Sequence, residues 1–290
     1  IDTTNGRDAT GTGIFMYNGN VNVGKATQIQ TASGNDGNDV FVTIRNRDYN
    51  NSLTMEGQSG TGLATGITGY GANNIGINIQ NGDNIATFGK KVTITQDTTT
   101  NKGWNISLTG GDNNTGILNN AFADEFVLSN KVTTTPVASG DLGVIRISGD
   151  KGVGFANLGY VNNSSDNLRL DYVSMNGVNS AIMAFINHTY NDNVRNNTLN
   201  SINKSTVQSG VLNLASGKKL FTQGIIGADT DGGLNSESSV GIYANTGQRS
   251  DGTKSEVGYN AGGSTSIGDL TIAGLNIGLN ENADNSTLIY

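Results

Sequence analysis

The sequence has no cysteine, one proline (Pro136), one histidine (His188) and one tryptophan, and only 14% of its 290 residues are charged. Each scarcity excludes something. Without cysteine there is no disulfide and no thiolate-ligated metal, a composition that fits bacterial secretion through an oxidising compartment without disulfides. The net charge of −7 and pI near 4.6 argue against a nucleic-acid partner, which needs clustered Lys and Arg. The basic residues here are scattered, the densest spots being Lys90-Lys91 and Lys218-Lys219. No run of 18 apolar residues exists from which a membrane-spanning helix would form. Helical periodicity is nearly absent, and its longest candidate, LNNAFADEFVLSN (118–130), lacks apolar spacing of three to four residues over enough turns. The chain begins at Ile1 with neither Met nor a signal segment, as expected of a piece of a longer protein.

What is present is glycine and asparagine, 42 of each. Disordered chains share low hydrophobicity, but they are rich in Pro and charge, and here the apolar residues fall in short, spaced clusters. VNVG (21–24), DVFVTIR (39–45), KVTITQ (91–96), WNISLTG (104–110), GVIRIS (143–148), NLRLDY (167–172), VLNLAS (211–216) and DLTIAG (269–274) alternate apolar with polar residues. Each is bounded by Gly, Asn, Asp or Ser, the pattern of strands between turns.

Several segments share one plan. ITGYGANNIGINIQ (67–80), SLTGGDNNTGILNN (107–120), RISGDKGVGFANLG (146–159) and TIAGLNIGLNEN (271–282) each carry a strand end, a Gly and a polar turn. A second Gly then precedes a β-branched, aromatic or aliphatic residue. TGIFMYNG (12–19) and SVGIYANTG (239–247) repeat the second half. These second glycines stand at 13, 76, 116, 154, 241 and 278, with gaps of 63, 40, 38, 87 and 37, near multiples of about 20. The repeat implies an all-β fold, a right-handed parallel β-helix (β-solenoid) of roughly 20 residues per coil, some fourteen coils, with loop insertions. One segment, 1–290, is expected, more irregular over about 177–263. Gly and Asn supply the positive φ that corners need, and Asn amides can ladder between coils. A β-sandwich is the competing architecture, but it wants more varied strands and a turn every 8–12 residues.

Candidate chemistry is thin. SGNDGNDVFV (33–42) approximates one nonapeptide of a calcium-binding β-roll, yet no second copy follows to complete a site, and residues 42–51 supply arginines where acids should stand. Asp36 and Asp39 are therefore a polar corner, able at most to hold a stray ion. DTDGGLNSE (229–237) and SDG (250–252) read as solvated loops, because the spacing of a calcium loop is missing. His188 is a surface residue without a nucleophile motif around it. Asp124 and Glu125 are adjacent and would point to opposite sides of a strand, so they make no carboxylate pair. No enzyme activity, cofactor or metal is expected. Phe15, Tyr17, Phe41, Phe155 and Tyr243 alternate with apolar neighbours, and most of them are expected in the core. Tyr49, Tyr70, Tyr160, Tyr190 and Tyr259 flank turns.

TGIFMYNGNVNVG (12–24), NNIGINIQNGDNI (73–85) and SSVGIYANTG (238–247) resemble the passenger repeats of monomeric, type V autotransporters of Gram-negative bacteria, above all the large fusobacterial outer-membrane adhesins. Vacuolating-cytotoxin-like passengers come next. The resemblance lies in repeat style over most of the chain, without a position-specific motif. It implies a surface-exposed, non-enzymatic passenger segment, anchored to the outer membrane through a barrel domain absent from this stretch, or secreted. It also implies adhesion to a host-cell or bacterial surface protein or glycan, as contact surface or rigid stalk. The alternatives are a membrane-active passenger, for which SAIMAFI (180–186) is the one apolar stretch, and a polysaccharide-acting β-helix enzyme. Contact loops are expected at 186–197, 227–239 and 248–263.

Overall fold

The computed structural model describes residues 12–17, 19–24, 28–31, 37–46, 50–55, 66–81, 91–97, 103–123, 126–131, 142–164, 168–186, 211–214, 220–226, 240–245, 258–261, 276–279 and 287–289. Among them every element is a strand and every strand pairing is parallel. Numbered in chain order, the strands form four sheets. Sheet I stacks β1 (Thr12–Met16), β4 (Val40–Asn46), β7 (Ile75–Asn81), β10 (Thr115–Asn120), β14 (Val153–Asn157), β17 (Ala181–Ile186), β20 (Val240–Asn245) and β23 (Thr287–Ile289). Sheet II stacks β2 (Gly19–Val23), β5 (Asn51–Met55), β8 (Val92–Asp97) and β12 (Phe126–Lys131). Sheet III stacks β3 (Gln28–Gln30), β6 (Gly66–Tyr70), β9 (Gly103–Thr109), β13 (Leu142–Ser148), β16 (Leu168–Asn176), β19 (Leu220–Ile226) and β22 (Asn276–Leu279). Sheet IV stacks β11 (Phe122–Ala123), β15 (Tyr160–Ser164), β18 (Val211–Leu214) and β21 (Gly258–Ala261).

The chain visits these sheets cyclically. It passes I, II, III three times, then I, IV, II, III once, and thereafter I, IV, III. All-β stacking of parallel strands in this order is compatible with a β-helix and rules out a sandwich, whose sheets are antiparallel. The stretch 118–130, the best helical candidate, contributes instead to β10, β11 and β12.

Equivalent residues stack in register. Ile14, Val42, Ile77, Ile117, Phe155, Met183, Ile242 and Ile289 pair successively along sheet I. Ile29, Ile67, Ile106, Ile145 and Val173 do so along sheet III. From Val42 to Met183 in sheet I and from Ile29 to Val173 in sheet III, these residues form a single apolar cluster with Leu53 and Ile94 of sheet II. No coil could bury such a face alone; stacking does, at about 2 kcal/mol for each buried Ile side chain.

The expected period of about 20 residues is wrong. Paired residues along sheet I lie 28 apart (Thr12↔Val40), then 35 (Val40↔Ile75), 40 (Ile75↔Thr115), 38 (Thr115↔Val153), 28 (Val153↔Ala181), 59 (Ala181↔Val240) and 47 (Val240↔Thr287). Eight strands stand in sheet I where fourteen coils were expected. The reason is that each complete turn among the described residues carries three or four strands joined by connections of unequal length, so that the segment between paired residues runs to 28 residues or more. Gly13, Gly76, Gly116, Gly154 and Gly241 do occupy one row of sheet I. Two strands break the row, with Phe41 in β4 and Ile182 in β17, so the 63- and 87-residue gaps each span two coils. Gly278 belongs to β22 of sheet III and only imitates the pattern.

Candidate functional site

The most regular feature is the corner between sheets III and I. Five successive corners hold one non-glycine residue at positive φ: Asn38 (66°), Asn73 (57°), Asn113 (59°), Lys151 (57°) and Asn179 (55°). The first four also hold a glycine there, Gly37, Gly71, Gly110 and Gly149. Asn tolerates this conformation because its short polar side chain bonds locally. All five are exposed, and Asn73 Nδ2 donates to Asn38 Oδ1 at 3.2 Å.

The next residue in each corner is buried: Asp39, Asn74, Asn114 and Ser180, with Gly152, which has no side chain, at the fourth. The Asp39 N–H donates to Asn74 Oδ1 at 3.0 Å, and the Asn74 N–H to Asn114 Oδ1 at 2.8 Å. Asn74 Nδ2 donates to the carbonyls of Tyr70 and Gly71, and Asn114 Nδ2 to those of Gly71 and Gly111. Asn74 and Asn114 have no solvent exposure, so these bonds satisfy backbone groups that water cannot reach. The asparagine ladder expected from composition exists here, but it runs side chain to backbone. At the fifth corner Ser180 takes the slot, its Oγ accepting the Gly152 N–H at 3.1 Å.

Two acids serve the same end. Asp112 Oδ1 accepts the Asp150 N–H at 2.9 Å, and Asp150 Oδ1 accepts the Val178 N–H at 2.8 Å. Their carboxylates face backbone donors of the following coil, so the acidic look of these turns is structural. Asp39 is likewise 2% exposed within its corner. Asp36, Asp124, Glu125, His188 and the loops DTDGGLNSE and SDG lie outside the described residues. Among the described residues no three His, Cys, Asp or Glu side chains gather as a metal site would require.

The aromatic residues divide differently from expectation. Phe41 and Phe155 are core residues, each 1% exposed. Phe15 and Tyr17 are not: they are 54% and 42% exposed, Phe15 in β1 and Tyr17 just after it, on either side of buried Met16. The strand period is the reason. With Met16 turned inward, its neighbours on both sides must turn outward, and that parity was readable from FMY (15–17). Arg45 of β4 lies beside them, its guanidinium carbon 5.8 Å from the centroid of the Phe15 ring, a cation–π contact. Tyr70 is half-buried at the end of β6; Tyr160, Tyr243 and Tyr259 fall in β15, β20 and β21; Tyr49 and Tyr190 lie outside the described residues.

SAIMAFI, the stretch considered for membrane entry, forms β17 in the middle of sheet I, with Ala181, Ile182, Met183 and Ala184 buried. No helix among the described residues is long and apolar enough to cross a membrane. Of the expected contact loops, only Ile186, at the end of β17, and Gly258–Ala261, which forms β21, fall among the described residues. Residues 187–210 connect β17 of sheet I to β18 of sheet IV.

Comparison of the sequence with protein-family models, with curated proteins and with solved structures returned no significant match.

Proposed function

We propose that the chain is a right-handed parallel β-helix and a surface-exposed, non-enzymatic segment of an autotransporter passenger, acting in adhesion to host cells or other bacteria. The cyclic order of sheets and the uninterrupted parallel pairing support the β-helix. The right hand follows from the general preference of parallel crossover connections. In its parent the segment is held at the outer membrane by a barrel domain, or released.

The observation that carries adhesion is the exposed pair Phe15 and Tyr17, with the half-buried Arg45 beside Phe15, on sheet I. Aromatic faces and a guanidinium are the residue types enriched where proteins contact one another, and they also suit sugar rings. The partner is a surface protein or a glycan. The membrane-active alternative loses the one apolar stretch that motivated it, since β17 is internal.

The test is binding of the labelled fragment to epithelial cells and to partner bacteria, with calcium and with a chelator. Saturable binding, weakened by Phe15→Ala with Tyr17→Ala, is the expected result. No binding by a fragment that circular dichroism shows to be folded would leave a stalk and sink the adhesive role. Sensitivity to the chelator would reopen the corner at Asp36 and Asp39 as an ion site.

A further inference from the structure

We propose that the buried pair Asn119–Asn157 is the device that switches the stack from one cross-section to another, replacing sheet II by sheet IV. One interior row of sheet I reads Met16, Ile44, Ile79, Asn119, Asn157. From the coils with Met or Ile in this row the chain leaves sheet I for sheet II, through β2, β5 and β8. From the coils with Asn it leaves for sheet IV, through β11 and β15, and β12 is the last strand of sheet II. The pair stands where the path changes: the Asn119 coil adds sheet IV while still reaching sheet II at β12, and the Asn157 coil is the first to omit sheet II. Beyond the pair the row continues with Phe185 and Ala244, whose coils keep the new path through β18 and β21.

The chemistry explains why. Asn119 Oδ1 accepts the N–H of Ala121 at 3.3 Å, folding the chain back at the residue that follows β10, so that β11 begins at once with Phe122. Its backbone carbonyl accepts the N–H groups of Leu158 and Gly159, at 2.9 and 3.0 Å, which copies the bend onto the following coil. Its Nδ2 donates to Asn157 Oδ1 at 2.8 Å. At the copied bend only glycine fits: a Cβ on Gly159 would stand 2.1 Å from the Ala121 carbonyl oxygen. Isoleucine at 119, as at 79, could make the strand pairing but neither side-chain bond.

The pair is not there for stability. Both residues have no solvent exposure, and Asn157 Nδ2 finds no hydrogen-bond acceptor among the described residues. A buried unsatisfied donor is unfavourable, and an apolar residue would remove it. Polar groups kept inside at such a cost are best known for fixing register against alternatives.

The experiment is Asn119→Ile with Asn157→Ile in the full chain, read by amide hydrogen exchange. The β-type circular dichroism and the thermal midpoint should be retained. Amides of Phe122, Ala123 and Tyr160–Ser164 should exchange about ten-fold faster or more, while Thr115–Leu118 keep their protection. Unchanged protection in sheet IV, or equal loss across sheets I, II and IV, would reduce the pair to ordinary core residues. Should the variant fail to fold, the unmodified chain in mild denaturant decides. Ala121, Leu158 and Gly159 should open in one step with β11 and β15, and opening in separate steps would overturn the proposal.

Discussion

Asn74 and Asn114 are 40 residues apart in the chain, yet the backbone N–H of the first donates to the side-chain oxygen of the second at 2.8 Å, fully out of reach of water. The same Asn114 amide donates to Gly71 and Gly111, so one side chain closes three backbone groups on two coils. Removing it leaves a buried donor and two weakened acceptors. Asn114→Ala should therefore cost about 3 kcal/mol, more than a surface substitution by several-fold. Asn114→Ser should fall between, because Ser180 fills the same slot and accepts one of these bonds. Thermal unfolding followed by circular dichroism checks the order Asn, Ser, Ala. Equal midpoints for all three would mean that the ladder is decorative.

The glycine row of sheet I makes a steric prediction. A Cβ on Gly116 would lie 2.6 Å from the Gly154 carbonyl oxygen and 2.9 Å from a methyl group of Ile145. The first obstacle is backbone of the next coil and cannot rotate away. Gly116→Ala should lose about 2 kcal/mol through overpacking. Gly24→Ala is the control, since nothing lies within 4 Å of its Cβ position, and it should be neutral within about 0.5 kcal/mol. Similar losses at both sites would show that the clash with the next coil is not the cause, since Ala in place of Gly only narrows the unfolded chain.

How much was legible in the sequence differs by feature. Strand positions were, because alternation is local: KVTITQ (91–96) became β8 and WNISLTG (104–110) became β9, each shifted by one residue. The coil length was not, because Phe41 and Ile182 occupy glycine positions in two strands and Gly278 mimics one in the wrong sheet. Asparagine hides its roles best. Asn38 holds a positive φ at the surface, Asn74 satisfies a buried corner, and Asn119 sits in an otherwise apolar row. The residue type is the same in all three, and only the partner one coil away tells them apart. The exposed Phe15 and Tyr17 could have been found by following parity from Met16 instead of summing hydrophobicity.

Lys151 stands where the other four corners carry asparagine, at φ 57°, and is exposed. A lysine in the left-handed region brings its Cβ against the following carbonyl without the local hydrogen bond that an Asn side chain supplies. Lys151→Asn should raise stability by about 0.5–1 kcal/mol, and Lys151→Gly should gain less, because glycine also enlarges the entropy of the unfolded chain. Thermal midpoints of the two variants against the parent decide this. A loss on Lys151→Asn would mean that the lysine side chain makes a stabilising contact outweighing its backbone strain.

Phe41 and Gly69 fit one another as a pair. Phe41 interrupts the glycine row of β4, and its ring reaches across the interior to β6, where a Cβ on Gly69 would lie 2.7 Å from Cζ and 2.8 Å from Cε2. Leu108 Cδ2 would be met at 2.8 Å as well, so the site is closed from two sides. Gly69→Ala alone should cost about 2 kcal/mol. Phe41→Leu alone should cost about 1–2 kcal/mol for the volume it vacates. If the ring and the absent Cβ are complementary, the double variant should be less destabilised than the two losses added together, by about 1 kcal/mol. Additive losses would assign the glycine to Leu108 instead, and Gly69→Ala with Leu108→Val would then show the coupling.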